Sequence, residues 1–332
     1  MKFAVTADLQ FDSQPRYSTL NADGISTRLD DTLKCFAWIV ETATARGCDG
    51  LLVLGDIFDS RTSVEVLVAD QVCRAFRAAS KHLSAFVLVG NHDAALRHPR
   101  LNSLQMLAGA ATVIEEPMIV GGDVAAVPWY DRHEAVSEAL REVKKSRAKC
   151  LVSHVMVEGA VPKGKGIPLS WLDGWKTVLL GDVHEPKVLR ASPRIQYVGA
   201  PLQIDFGDAG GARGFTILET TTGKVEFVEN EKSPRFYLLT DANESTDEIR
   251  SEDFVRVRVQ NPRAARAVTE RVSKLSKWVE ADAVPDEEIA ARLEIPAGAD
   301  DDKVLTMYAK HVGVFTPELV ATGKSIIEEA RK

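Results

Sequence analysis

The strongest constraint on what this chain can fold into is one local event that recurs. Five times a short apolar run ends and a polar residue able to bind a metal ion follows at once. Residues 3–6 run to Asp8, 51–54 to Asp56, 85–89 to Asn91, 150–153 to His154, and 177–180 to Asp182. Continuous apolar runs of this length predict strands buried on both faces. Between them, residues 27–46 carry Leu29, Leu33, Phe36, Val40 and Ala43 at helical spacing and stop at Gly47, and 64–80 reads as a second helix. Buried strands alternating with helices give an α/β layer architecture, in which ligands sit at the carboxyl ends of the strands. At 118–127 and 188–228 the pattern becomes strand–turn–strand. That change predicts a second sheet, and with it a four-layer αββα sandwich.

A chain of 332 residues is long enough for roughly two domains. A boundary is expected at 229–234, so that 1–232 forms the sandwich and 235–300 a small α+β domain. The latter should hold a strand at 254–259, a helix at 263–279 and an acidic stretch at 282–302. Helical spacing returns at 303–312 and 317–332 and sets apart a C-terminal segment, 303–332. No apolar run approaches the ~18 residues of a membrane span, and the first apolar stretch already meets Asp8, so it reads as a strand and not a signal peptide. Cys35, Cys48, Cys73 and Cys150 lack any CxxC spacing, which argues against a zinc ribbon or a disulfide framework and for reduced thiols in a cytoplasmic protein.

The strand-end residues form a candidate ligand set: Asp8, Gln10, Asp56, Asn91, His154, Asp182 and His184. Carboxylate, imidazole and amide donors without thiolate suit manganese, iron or zinc better than calcium. Asp56 has two oxygens and can bridge two ions. A pair of cations ~3.5–4 Å apart can hold one phosphodiester and activate water for in-line attack. The net charge of −7 at first argues against a nucleic-acid partner. However, acidic metal ligands are cancelled by their ions, and phosphate contact depends on local charge.

In order and spacing, Asp8-Leu9-Gln10, Gly55-Asp56-Ile57-Phe58-Asp59, Gly90-Asn91-His92-Asp93, His154 and Gly181-Asp182-Val183-His184 resemble the metallophosphoesterase signature DxH…GDxxD…GNHD/E…H…GHxH, over about residues 1–220. GDIFD, GNHD and VHEP, followed by Tyr197-Val198-Gly199-Ala200-Pro201, resemble the SbcD-like branch of calcineurin-like enzymes, the nuclease subunits of double-strand-break repair complexes, phage versions included. The resemblance implies two divalent ions, one on Asp8, Gln10, Asp56 and His184, the other on Asp56, Asn91, His154 and Asp182. It implies that His92 faces the phosphate, as acid or electrostatic stabiliser, with Asp59 orienting it. Gln10 and Asp182 replace two family histidines; the added carboxylate favours manganese, or magnesium, over zinc.

The same resemblance implies a metal-dependent DNA exonuclease, with single-strand endonuclease activity as a further option. It makes the domain after residue 235 a cap and the C-terminal helices a clasp for an SbcC-like coiled-coil ATPase. It also implies a homodimer through segments carrying Val66, Leu67, Val68, Leu101, Leu104, Met106 and Leu107. Lys163 and Lys165, in the Gly/Pro-rich loop after His154, and Arg61 are candidate DNA contacts. Arg141, Lys144, Lys145, Arg147 and Lys149 read as a solvated helix face, and Trp129 and Tyr130 as packing residues. Two other readings stay open: a phosphatase or phosphodiesterase on small phosphate esters, and a DNA-end-binding scaffold without activity. Residues beyond 235 argue against the first, and Ser60 between Asp59 and Arg61 separates the chain from the GDxxDRG phosphoprotein phosphatases.

Overall fold

The computed structural model describes residues 1–282 and 299–330. Its first part runs β1 (Lys2–Thr6), α1 (Thr27–Ala45), β2 (Gly50–Val53), α2 (Val66–Ala79), β3 (Ser84–Leu88), β4 (Thr112–Ile114), β5 (Met118–Val120), β6 (Val124–Val127), α3 (His133–Val143), β7 (Cys150–His154), β8 (Thr177–Gly181), β9 (Lys187–Ala191), β10 (Arg194–Tyr197), β11 (Gly214–Glu219) and β12 (Lys224–Glu229). Two six-stranded sheets result, ordered β12-β11-β1-β2-β3-β4 and β5-β6-β7-β8-β10-β9. β1 to β4 are parallel neighbours, as are β6, β7, β8 and β10.

The pleat sorts the side chains into layers. Phe3 and Val5 of β1, Leu52 of β2, Cys150 and Val152 of β7, and Leu179 of β8 form one core between the two sheets. Their alternates turn outward. Ala4, Leu51 and Val53 pack with Leu29, Phe36 and Ile39 of α1 and with Val72 and Phe76 of α2. Leu151 and Val178 pack with Val136, Leu140 and Val143 of α3. A period of two with both faces apolar is what allows each strand to serve two cores. The order is thus helix, sheet, sheet, helix. One assignment is corrected: the hairpin β11–β12 joins the first sheet, with β11 antiparallel to β1, and not the second. A hairpin pattern carries no information about which edge it will extend.

A third sheet follows, with β13 (Phe236–Leu239), β14 (Phe254–Val257) and β15 (Trp278–Ala281) all parallel and α4 (Pro262–Val272) packed on it. The helix expected to reach residue 279 therefore ends at Val272. The Ser276 hydroxyl donates to the Asp253 carbonyl and accepts from Trp278 N at 2.9 Å, which turns the chain into β15. The buried Arg28 of α1 ties this sheet to the sandwich, its guanidinium 5.1 Å over Phe236 and 4.7 Å over Phe254 and donating to the Ile204 carbonyl. The expected acidic stretch lies mostly outside the described residues. α5 (Asp301–His311) and α6 (Pro317–Ala330) pack on one another, with Lys324 paired to Asp302 at 2.9 Å. Among the described residues no helix is long and apolar enough to cross a membrane, and all four cysteines are unpaired.

Candidate metal centre

The carboxyl ends of β1, β2 and β3 meet those of β7 and β8 across the inter-sheet core, and side-chain bonds join the two rims. His154, fully buried at the end of β7, donates from Nδ1 to the Leu54 carbonyl at 2.6 Å. The Asp8 carboxylate accepts from Asp182 N at 3.2 Å. Within the first sheet, Asp8 N donates to Gly55 O at 3.1 Å and Gln10 N to Asp56 O at 3.0 Å. Four candidate ligands sit in the left-handed backbone region: Asp8 (φ 52°), Gln10 (φ 43°), Asp56 (φ 54°) and Asp182 (φ 99°). A non-glycine residue there costs on the order of 1–3 kcal/mol. Such strain persists only where the surroundings enforce it, and here the cross-links do. Gly90 is required by close approach, since a Cβ would stand 2.2 Å from Asp56 Oδ1.

Asp8, Asp56 and His154 are buried, and each offers a ligand atom within 4.8 Å of the others. The Asn91 amide faces three acceptors: His154 Nε2 at 2.6 Å, Asp182 Oδ1 at 3.2 Å and Asp56 Oδ2 at 3.3 Å. With its nitrogen turned inward the amide donates to them, and its oxygen accepts from Arg61 Nη2 at 2.6 Å. With its oxygen inward, the Asn91, Asp56 and Asp182 oxygens surround His154 Nε2, and the four become converging acceptors once that nitrogen gives up its proton. Converging acceptors of this kind, with a carboxylate shared between them, fit a hard divalent cation. Gln10 Nε2 lies 3.0 Å from His184 Nε2.

Two organising residues were not legible beforehand. The Asp93 carboxylate, 2% exposed, accepts from the main-chain N–H groups of Gly90, Asp56, Ile57 and Phe58 at 2.8–3.3 Å, locking the GDIFD loop to the GNHD loop. Its one signal was the last letter of GNHD. Asp208 accepts from His184 Nδ1 at 3.2 Å and is itself held by Ile204 N at 3.0 Å and by Arg213 at 3.6 Å. This fixes the tautomer in which His184 presents Nε2 as acceptor. No local pattern marks Asp208. Replacing it with alanine should lower metal affinity about 10–100-fold; unaltered affinity by calorimetry would remove its role.

His92 is held from two sides. Its N–H donates to Asp56 Oδ1 at 2.8 Å, and its Nδ1 bonds the main-chain carbonyl of Asp59. The orienting bond thus comes from the Asp59 backbone carbonyl, and the same residue lines the adjoining cleft. Lys163 and Lys165 are exposed and make no hydrogen bond or ion pair among the described residues. Trp129 and Tyr130 pack against the two outer cores.

Burial, with the Asp56 and Asp182 carboxylates adding to it, pushes Asp8 up to about 7 against the pull of His154 and His184. Burial alone would lower His184, but its bond to Asp208 and the charge of Asp8 raise it to about 9. Burial likewise opposes the charge on His154, but the Asp56 and Asp182 carboxylates outweigh it and raise His154 well above its ordinary value. A carboxylate raised from 3.8 to about 7 withdraws stability as pH climbs between those values. An imidazole raised from 6.5 to about 9 adds stability that is complete below 6.5 and lost through 9. Chelated protein should therefore melt at progressively lower temperature from pH 6 to 9, while metal affinity rises over the same window as the ligands give up protons. A flat or rising melting temperature would contradict the arrangement.

The calcineurin-like phosphoesterase family matches residues 1–152. Three curated relatives match longer stretches of the chain. Exonuclease subunit 1 of Enterobacteria phage T4 is 27% identical over 206 residues, covering 58% of this chain and 59% of that protein. The SbcD component of the nuclease SbcCD of Escherichia coli K12 is 22% identical over 248 residues, covering 59% and 61%. The DNA double-strand break repair protein Mre11 of Aeropyrum pernix is 25% identical over 250 residues, covering 66% and 60%. The chain thus matches about three-fifths of the length of each.

Proposed function

We propose that this chain, which carries a calcineurin-like phosphoesterase domain, is a metal-dependent nuclease that hydrolyses phosphodiester bonds in DNA. The observation that carries the reading is the convergence of acceptor atoms from both sheets at one rim, with His92 fixed beside them. Two divalent ions, manganese before magnesium, would be held by Asp8, Gln10, Asp56 and His184 and by Asp56, Asn91, His154 and Asp182; they supply Lewis-acid polarisation of the phosphate and a more acidic water. The chain's own contribution is positional. With Nδ1 of His92 engaged by Asp59, Nε2 is the atom that meets the phosphate, where a proton held on it can stabilise charge or pass to the leaving oxygen. Lys163, Lys165 and Arg61 are the cations this reading sets against the DNA backbone.

Gln10 is a neutral, weak donor where the family has imidazole. Gln10→His should tighten the first ion severalfold in calorimetric titration; unchanged affinity would mean that Gln10 and Asp182 work as a set adapted to each other.

Named subunits among the relatives support a partner as well. Tyr308, Val312, Leu319 and Ile326 of the C-terminal helix pair remain exposed, which suits a clasp on an SbcC-like coiled-coil ATPase. Val66, Leu67, Leu101 and Met106 are also exposed, whereas Val68, Leu104 and Leu107 are buried. The first four suit a two-fold homodimer contact. Four unpaired cysteines fit the cytoplasm. The test offers labelled linear duplex, single-stranded DNA and bis(p-nitrophenyl) phosphate with manganese. Degradation of DNA is expected; cleavage of the small diester alone would make the protein a phosphodiesterase of small esters, and cleavage of neither a scaffold.

A further inference from the structure

Beside the metal centre lies a cleft of about 470 Å³ that shares Gln10, Asp59 and His184 with it. That volume lies within the roughly 300–1,000 Å³ of small-ligand sites. Its far wall is built by the loop after Gln10, by the 204–207 turn and by the third sheet, which contribute Tyr17, Phe206 and Arg256. We propose that this cleft is a nucleobase subsite, holding the base of a nucleotide adjacent to the phosphate at the metal centre. The inference rests on the nuclease reading.

The chemistry of the wall selects the ligand. Tyr17 stands edge-on to Phe206, with centroids 5.5 Å apart at 83°. Its face is covered by the guanidinium of Arg16, at 4.9 Å, and that side chain is 67% exposed. A base needs ~3.5 Å to each neighbour, so it enters only as the exposed Arg16 side chain lifts off the ring, which leaves the base stacked on Tyr17 and under the cation. Arg256 lies 4.2 Å over the Phe206 ring and completes a platform of alternating aromatic and guanidinium planes. Purely anionic ligands fit poorly, because the carboxylates of Asp59 and Asp205 also line the cleft. Arg16 and Arg256 are moreover already engaged by Glu280. A planar, neutral, hydrogen-bonding group whose phosphate lies outside, on the centre, satisfies both conditions. Arg28 lines the cleft too, but its contacts with Phe236, Phe254 and the Ile204 carbonyl make it structural.

Tyr17 has a second connection: its hydroxyl bonds Glu280 and accepts from Arg256 at 3.1 Å, linking the loop to the third sheet. Two substitutions separate ring from hydroxyl. Tyr17→Phe keeps the stacking surface and removes the link; Tyr17→Ala removes both. Steady-state cleavage of a single-stranded oligonucleotide is compared with that of an abasic oligomer of the same length, a diester with no ring to stack. The subsite requires Tyr17→Ala to raise the oligonucleotide KM by a factor of about 5–150, as a lost stack of ~1–3 kcal/mol implies. It also requires kcat/KM on the abasic oligomer to stay constant and Tyr17→Phe to resemble the parent. Equal losses on both substrates in both variants would instead assign Tyr17 to holding the loop, and an unchanged oligonucleotide KM in Tyr17→Ala would remove the subsite. Should the parent protein cleave neither substrate, the nuclease reading itself fails.

Discussion

Asp56→Ala is expected to abolish manganese-dependent cleavage while leaving the fold in place. On the proposed assignment Asp56 is the carboxylate that both ions share: it offers a ligand atom within 4.8 Å of those of Asp8 and His154, and its Oδ2 faces the Asn91 amide at 3.3 Å. Removing it takes a ligand from each ion, so the loss should exceed the ~10²–10³ that a single electrostatic donor is worth. The loop itself depends on main-chain groups, because Asp93 grips the N–H groups of residues 56, 57 and 58 and those survive the substitution. Stability should change little: the Asp56 charge raises the pKa of Asp8 and that of His154, so its removal relieves one repulsion and gives up one attraction inside the chelated protein. Circular dichroism and melting are measured beside rate; cleavage near the parental rate in a folded variant would break the shared-ligand assignment.

His92→Ala should behave differently, turning over ~10²–10⁴-fold more slowly with both ions still bound, as for a lost acid or stabiliser. The separation is possible because the bond from residue 92 to Asp56 Oδ1 comes from the main chain and remains after the side chain is cut. Only the imidazole, held by the Asp59 carbonyl, is removed. Metal stoichiometry measured beside rate decides the point: if an ion departs with the imidazole, His92 is a ligand.

How much of this was legible in the sequence depends on the range of the interaction. Strands buried on both faces leave a local record, so β1, β2, β3, β7 and β8 could be located together with the polar residue that ends each. The first helix, placed at 27–46, spans Thr27–Ala45. Assembly between distant segments left less trace. The β11–β12 hairpin went to the first sheet because β1 offered an edge, which no property of residues 214–229 announces. β15 was concealed because Trp278 and Val279 fit the end of a helical pattern as readily as the start of a strand. In the centre, every candidate ligand stood in a recognisable motif. Asp208, by contrast, acts from 24 residues beyond His184 through a turn whose only property is shape. Asp59 was expected beside His92, and it is there, but through a carbonyl that any residue would supply.

The central claim is a two-ion centre with a shared carboxylate, and counting ions tests it most directly. Chelated protein is titrated with manganese in a calorimeter at pH 8, with bound metal counted independently after gel filtration. The account predicts two ions per chain in the parent and a loss of affinity at both sites in Asp56→Ala. A single ion per chain at saturation, or an Asp56→Ala variant that retains two at parental affinity, would contradict it.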